Sequence, residues 1–397
     1  MASLNETPQG ERLHIGIFGK RNAGKSKLLN AITGQDAALV SAVKGTTTDP
    51  VFKAMELLPI GPVVLIDTPG IDDSGELGSL RTEKTKSILR KTDIAILVVD
   101  AMEGFSQEDE GLAKIFAEMD IKYLIVYNKS DLKKGNLADG FYVSAETGEN
   151  IEALKEEIIK ISGAKDELRR MVSDLIEAGD IVVLVVPLDK SAPKGRLILP
   201  QQQAIRDILD AGAVSLVTRD TEFSAALAAL KKPPALVITD SQAFEKVARE
   251  TPASVRLTSF SILAARYKGV LESSVCGVKA LESIRDGDKI LISEGCTHHR
   301  QCEDIGTVKI PKWIEEYTGA KPLYEFSSGN GFPEDLSRFK MIVHCGGCML
   351  NMREMRYRYR AAAEANVPIT NFGVLISQMK GILKRSTAPC YELNQSC

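Results

Sequence analysis

Gly19-Lys20-Arg21-Asn22-Ala23-Gly24-Lys25-Ser26 is the stretch on which the reading of this chain turns. Its spacing, G-x-x-x-x-G-K-S, falls between an apolar run at residues 13–18 that predicts a strand and a helical pattern over 25–33. A glycine-rich turn in that position lets backbone N–H groups wrap a phosphate chain beside the positive end of the helix dipole. Lys25 is placed to neutralise β- and γ-phosphates, and the Ser26 hydroxyl to ligate Mg²⁺. The contacts predicted from this loop are Gly19, Arg21, Asn22, Ala23, Gly24, Lys25, Ser26 and Lys27.

Working outward, further strands are predicted at residues 63–67, 94–100, 123–127 and 141–143, with a helix over 151–162. Strands separated by helices require right-handed crossovers and a mostly parallel sheet covered on both faces. Asp67-Thr68-Pro69-Gly70 follows one such strand, so that Asp67 reaches Mg²⁺ through water and the Gly70 N–H senses a γ-phosphate. Asn128-Lys129-Ser130-Asp131 follows another; the Asp131 carboxylate can accept both N1–H and the exocyclic amino group of guanine, which adenine does not offer. Ser144-Ala145 can give a backbone N–H to the guanine oxygen, and Gly45-Thr46-Thr47-Thr48-Asp49 can supply a threonine to the Mg²⁺ shell. Each motif alone fits a tight turn, a capping aspartate or a solvated loop. All five in this order predict a GTP site.

The remainder of the chain narrows the class. Its 397 residues suggest two or three domains at roughly 150 residues each. A net charge of -3 gives no global reason for polyanion or membrane-surface binding, and the longest apolar runs, such as 181–187, are far too short to span a bilayer. The opening residues lack the apolar core of a signal peptide, which predicts a cytoplasmic location. Seven cysteines, an odd number in a reducing compartment, point to metal binding or core thiols rather than a disulfide framework.

A second α/β alternation is predicted after residue 163, with strands at 180–187, 215–218 and 235–239, helices at 201–211 and 221–231, and a further α/β element over 244–266. It carries no catalytic histidine or cysteine, and its exposed strand edges suit dimer formation. A third segment begins near Val270, with strands at 289–292, 341–343 and 368–371 and helices at 312–318, 351–365 and 376–384. Two cysteine–histidine stretches follow strands of this segment: Gly295-Cys296-Thr297-His298-His299-Arg300-Gln301-Cys302-Glu303, and His344-Cys345-Gly346-Gly347-Cys348. Carboxyl ends of parallel strands are where open α/β sheets build their sites. Two thiolates at a two-residue spacing can grip one metal or cluster, and the intervening glycines allow N–H donation to sulfur. A zinc site from Cys296, His298, Cys345 and Cys348 and an iron–sulfur cluster on Cys296, Cys345 and Cys348 both fit this spacing, the cluster's fourth position coming from His298, His344, Cys302 or Glu303 or from outside. Cys276, Cys390 and Cys397 are read as isolated thiols, and His14 as a packed or surface histidine.

Gly19 to Ser26 taken with Gly45-Thr46-Thr47 and Asp67-Thr68-Pro69-Gly70 resembles the TrmE–Era–EngA class of GTPases. That resemblance implies an activating K⁺ at Asn22, slow hydrolysis assisted by pairing of G domains, and Thr47 rather than Thr46 on Mg²⁺, so that Lys25, Asp67 and Thr47 are the catalytic set. Ile71 follows Gly70, so no water-orienting glutamine stands there; Thr48 replaces the arginine more usual in the class. Cys296-x-His298, a gap of 45 residues, and then His344-Cys345-x-x-Cys348 resembles the signature of the [FeFe]-hydrogenase maturation GTPase family. The resemblance implies three α/β domains: a P-loop GTPase with a mostly parallel sheet (1–165), then two smaller ones, for dimerisation (166–268) and for an iron–sulfur cluster (269–397). It further implies a [4Fe–4S] cluster on Cys296, Cys345 and Cys348, GTP/GDP as the nucleotide with GTP hydrolysis as a conformational switch, and a homodimer that carries a transient di-iron subcluster between radical-SAM maturases and apo-[FeFe]-hydrogenase, with no membrane or nucleic acid. An alternative reading is an RNA- or ribosome-associated assembly GTPase with a structural zinc, for which the basic stretch 353–360, with Tyr357 and Tyr359 interleaved, would offer stacking on bases; the same residues also read as the solvated face of a helix.

Overall fold

Leu13–Phe18 forms strand β1, buried along five of its six residues because both faces of the sheet around it are covered. The computed structural model describes residues 9–34, 50–68, 83–133, 140–163, 170–187, 197–295, 304–329 and 331–390. The chain divides into two compact units, Met1–Leu168 and Arg169–Cys397.

In the first unit, β1 is followed by α1 (Lys25–Thr33), β2 (Val51–Leu57), β3 (Gly61–Asp67), α2 (Glu83–Lys91), β4 (Ile94–Asp100), α3 (Gln107–Glu118), β5 (Lys122–Asn128), β6 (Phe141–Tyr142) and α4 (Ile151–Ser162). The six strands lie in the order β2-β3-β1-β4-β5-β6, all parallel except β2, which runs antiparallel to β3. Ile15, Ile17 and Val98 face one core with Leu28 of α1 and Leu154 of α4. Phe18 and Leu97 face the other with Leu112 and Phe116 of α3. From β1 the chain builds outward on one side through β3 and then returns to place β4 on the other. The carboxyl ends of β1 and β4 therefore flank a topological switch point.

The second unit holds two parallel four-stranded sheets. The first comprises β7 (Ile181–Val185), β8 (Val214–Thr218), β9 (Leu236–Thr239) and β10 (Arg256–Ser259), in the order β10-β9-β7-β8, with α5 (Leu199–Asp210), α6 (Phe223–Ala228) and α7 (Phe244–Glu250) in the crossovers. Then come α8 (Phe260–Tyr267) and α9 (Leu271–Gly277). The second sheet has β11 (Lys289–Glu294), α10 (Ile310–Thr318), β12 (Leu323–Ser328), β13 (Met341–His344), α11 (Met352–Glu364), β14 (Ile369–Asn371), α12 (Phe372–Met379) and α13 (Leu383–Thr387), in the strand order β12-β11-β13-β14. Here the reversal falls between β11 and β13.

The α/β class and its mostly parallel sheets agree with the sequence expectation. Strands β2 and β12 were not expected: both are sheet edges with exposed side chains, so neither shows a continuous apolar run. The single helix expected over 376–384 is instead two, α12 and α13, parted at Gly381, whose φ of 67° is left-handed. Among the described residues no helix is long and apolar enough to cross a membrane.

The two sheets of the second unit share one hydrophobic core: Val183 and Val237 from the first belong to the same buried cluster as Ile290, Ile292 and Ile342 from the second. Helix α8 joins them. It is buried nearly all round, giving Ile262 and Ala265 to the shared core and Phe260 and Leu263 to the core on the far face of the first sheet. Ile262→Ala should therefore cost about 2–5 kcal/mol. Urea unfolding followed by the fluorescence of Trp313, the only tryptophan and a residue packed on that core from α10, should show a lowered midpoint. An unmoved Trp313 transition would mean that the two sheets are energetically separate.

Candidate functional site

The phosphate loop leaves β1 at the first switch point. Gly24 takes φ 92°, and a Cβ there would lie 2.2 Å from Asn128 Nδ2, so the loop needs glycine for conformation and for space. Lys25 is buried, and its Nζ donates to the carbonyls of Gly19 (2.9 Å) and Lys20 (2.7 Å), which holds the ammonium over the loop. Ser26 Oγ donates to Asp67 Oδ2. Asp67 Oδ1, in contrast, is buried with no hydrogen-bond partner among the described residues. Burial pushes the Asp67 carboxyl above the ordinary carboxylate range despite Ser26 and Lys25, and burial likewise lowers Lys25. A hydroxyl beside an orphaned, desolvated carboxylate oxygen is a donor set that suits a hard divalent cation. Thr68 is fixed on the opposite side by its hydroxyl, which donates to Ile17 O at 2.6 Å.

Asn128 ties the two ends of the nucleotide site together. Its Nδ2 donates to Ala23 O and its Oδ1 accepts from Ala145 N, both at 3.0 Å. Lys129, with φ 67°, pairs with Asp100. Asp131 is exposed, with Oδ1 accepting from Ser144 Oγ at 2.6 Å, which leaves a free edge of the carboxylate for a base. The Ser144 and Ala145 N–H groups, expected to face the guanine oxygen, donate instead to Glu149 O and Asn128 Oδ1. Arg21, Asn22, Ser26 and Lys27 are exposed around the loop, Lys27 being paired with Glu146. Thr47 and Gly70 lie outside the described residues, as do their motif neighbours at 45–49 and 69–71.

At the second switch point, β13 delivers His344 and Cys345 beside the end of β11. The Cys345 N–H donates to Ser293 O at 2.9 Å, continuing the ladder. Cys345 Sγ accepts from Gly295 N at 3.0 Å and from Gly347 N at 3.3 Å. Gly295 is the residue immediately before Cys296, so the first cysteine stretch begins at the Cys345 sulfur. Gly347 has φ 62°, and a Cβ there would lie 2.5 Å from Met355 Sδ. Lys268 donates to the carbonyls of Gly347 and Leu350, the latter at 2.6 Å. Burial pushes the Cys345 thiol up to about 11 and raises Cys348 as well, so a thiophilic cation taken up here would have to displace thiol protons. Two sulfurs with N–H donors aimed at one of them fit an iron–sulfur cluster or another thiophilic centre. Among the described residues no three His, Cys, Asp or Glu side chains converge on one point. Cys296, His298, Cys302 and Glu303 lie outside the described residues.

His344 is fully buried, and both its ring nitrogens are engaged. Arg358 NH1 lies 3.0 Å from Nε2; arginine can only donate, so Nε2 accepts and Nδ1 carries the proton, given to Cys345 O at 2.8 Å. Burial holds the imidazole down to about 3. To ligate a metal, His344 would have to surrender one of these bonds. Arg358, fully buried, also bonds Glu354 Oε1 (2.9 Å) and Gly329 O (2.6 Å) and stacks over Phe332. This corrects part of the reading of 353–360: Arg356 and Arg360 are exposed on a solvated face of α11, but Arg358 and Tyr359 are buried and do not lie on it. Helical periodicity turns Glu354, Arg358 and Tyr359 inward, with the Tyr359 hydroxyl bonded to Ser274 Oγ at 2.8 Å. Cys276 is also corrected: it is disulfide-bonded rather than an isolated thiol. Cys390 is a free, half-buried thiol, and His14 is packed on β1, held down to about 4 by burial. Lys268, Arg358 and Glu354 carried no motif, and only the burial of charged residues reveals them.

Comparisons with known proteins match three successive stretches of the chain. Residues 14–129 match the family model of the 50S ribosome-binding GTPase, which makes this region a GTPase domain. GTPase Der of Wolinella succinogenes is 33% identical over 177 residues, covering 40% of this chain and 37% of that protein. The tRNA modification GTPase MnmE of Thiobacillus denitrificans is 33% identical over 158 residues, covering 38% and 34%. The chain thus spans little more than a third of the length of these relatives. Among solved structures, Era of Aquifex aeolicus aligns over 60% of this chain and 97% of its own at 20% identity and a TM-score of 0.32. The G domain of the T. maritima FeoB iron transporter aligns over 38% and 99% at 24% identity and 0.31. Residues 171–269 match the hydrogen maturase F dimerization domain, and residues 272–389 the hydrogen maturase F tetramerization domain. With both of its characteristic domains present behind a GTPase domain, the chain belongs to the hydrogen maturase F family.

Proposed function

We propose that this chain hydrolyses GTP and couples that cycle to a scaffold or carrier role in [FeFe]-hydrogenase maturation, with an iron–sulfur cluster held in its last domain. Domains at 1–165, 166–268 and 269–397 carry nucleotide turnover, dimerisation and the cluster respectively. The observation that carries the reading is the Gly295 N–H bond to Cys345 Sγ, which brings the residue preceding Cys296 against the Cys345-x-x-Cys348 turn.

In the nucleotide site, Lys25 releases the loop carbonyls and binds β- and γ-phosphate oxygens. Ser26 and Asp67 hold Mg²⁺, which when bound neutralises phosphate charge, and Thr47 joins them. Asn22 serves K⁺. Asp131 reads the guanine edge while Asn128 keeps the base-reading and phosphate loops in register. Thr47 and the Gly70 N–H answer to the γ-phosphate, so that hydrolysis changes the order of two loops and with it the association of partners.

In the last domain, Cys296, Cys345 and Cys348 hold the cluster, and His298, His344, Cys302 or Glu303 stands nearest the fourth position. Such a cluster, when bound, supplies an exchangeable inorganic platform for a di-iron unit. The protein's own part is to donate N–H groups to sulfur from Gly295 and Gly347 and to keep His344 neutral. The working form is a cytoplasmic homodimer, a reading supported by the dimerization-domain match and by Val214 and Val217, exposed on the edge strand β8. Its partners are the radical-SAM maturases and the apo-hydrogenase.

Lys25→Ala should lower GTP turnover by roughly a hundredfold or more, the usual cost of removing one charge-stabilising group. The same variant should take up iron as the wild type does, because the two sites lie in different units. Asp131→Asn should reduce discrimination for guanine over adenine by roughly tenfold or more, the worth of a charged hydrogen bond; unchanged competition by ATP would remove Asp131 from base recognition. After anaerobic incubation with Fe²⁺ and sulfide, the full chain should show thiolate-to-iron charge-transfer absorption, absent from Cys345→Ser and Cys348→Ser. Equal iron in wild type and both variants would sink the cluster assignment.

A further inference from the structure

Lysine is among the residues least often buried, yet Lys268 is 7% exposed. It caps α8 at its carboxyl end, in the last turn of the stretch matched by the dimerization domain, and reaches across to the cysteine turn of the following sheet. Its Nζ donates to Gly347 O and to Leu350 O. Those two carbonyls bracket Cys348 in sequence, so one ammonium grips the turn on both sides of that sulfur. Helix α8 also floors the turn: a Cβ on Gly346 would lie 3.7 Å from Ser261 Oγ and 3.9 Å from Ala264 Cβ. The charge falls on the Cys348 side of the sulfur pair. It opposes the effect of burial at Cys348 and disfavours protonation of His344. Arg358, buried in the same sheet region, pairs with Glu354 at 2.9 Å.

Resting on the iron–sulfur reading above, we propose that Lys268 is a positioning residue for the cluster. It fixes the 347–350 turn through two carbonyl bonds and holds a positive charge beside the anionic iron–sulfur group. A cation in a site of low dielectric stabilises the more negative, one-electron-reduced cluster more than the oxidised one. Lys268 therefore raises the reduction potential, and it does so from a helix of the dimerisation region. Cluster electronics are tied in this way to the packing of α8.

The test uses the full chain as wild type, Lys268→Arg, Lys268→Gln and Lys268→Met, each loaded anaerobically with Fe²⁺ and sulfide and titrated with dithionite under EPR. Arginine keeps the charge, glutamine keeps a donor without the charge, and methionine keeps neither. Iron content and the cooperative Trp313 unfolding transition are followed in parallel. The expected result is a wild-type potential in Lys268→Arg and a reduction equilibrium about tenfold less favourable in Lys268→Gln and Lys268→Met, which is about 59 mV for a one-electron couple. Loss of iron from the two uncharged variants with folding intact would also support the role. A loaded Lys268→Gln or Lys268→Met with the wild-type potential would overturn it. No iron in the wild type would overturn the iron–sulfur reading and this inference together, whereas an unmoved potential in a loaded variant sinks the inference alone.

Discussion

A parallel strand cannot return directly to its neighbour; every connection must cross the sheet and come back from the same end. Where successive crossovers leave in opposite directions, the carboxyl ends of two adjacent strands part and open a crevice that no helix fills. All three sheets of this chain are subject to that constraint, and it decides where chemistry is placed. The β1/β4 reversal receives the phosphate loop, and the β11/β13 reversal receives Gly295 and the Cys345-x-x-Cys348 turn. Strand interiors supply apolar mass, while the residues directly after the strand ends supply the functional groups.

The two crevices handle buried polarity in opposite ways. In the first, Asp67 Oδ1 has no partner among the described residues and Lys25 is held by loop carbonyls, an arrangement that ligand phosphate and a divalent cation would complete. In the second, most polar groups near the sulfurs are bonded, although Glu354 Oε2 has no partner among the described residues. Arg358 is balanced by Glu354, His344 uses both ring nitrogens, and Cys345 Sγ receives two N–H groups. A charge buried without a partner costs several kcal/mol, so this network resists rearrangement and fixes the sulfur positions. The first crevice suits a nucleotide that must come and go. The second suits a group that stays attached to a rigid frame.

The central strands and the phosphate loop were legible because fully buried parallel strands read as unbroken apolar runs and because the loop's glycines have a specific spacing. Helix α1 and strand β4 came out with the same bounds as expected. Strands β2 and β12 were not legible, since an edge strand needs only one neighbour and tolerates exposed Val51, Phe52, Leu323 and Phe326. The stretch 353–360 misled for another reason. Its composition is basic, but the helical period turns Arg358 inward to meet Glu354 one turn away, and composition carries no information about facing. Asn128 was read as part of a guanine motif, yet its described role is to bridge Ala23 and Ala145, a contact between segments more than a hundred residues apart. Lys268 had no signal at all: its meaning lies in a contact with Gly347, 79 residues away.

The account stands on the claim that the crevice between β11 and β13 holds an iron–sulfur cluster through this chain's cysteines. Low-temperature EPR of the full chain, loaded anaerobically with Fe²⁺ and sulfide and then reduced with dithionite, addresses it most directly. The account predicts the paramagnetic signal of a reduced iron–sulfur cluster, present in wild type and lost in Cys345→Ala. Stoichiometric zinc in the purified protein, with no iron-based signal after reconstitution and reduction, would contradict it.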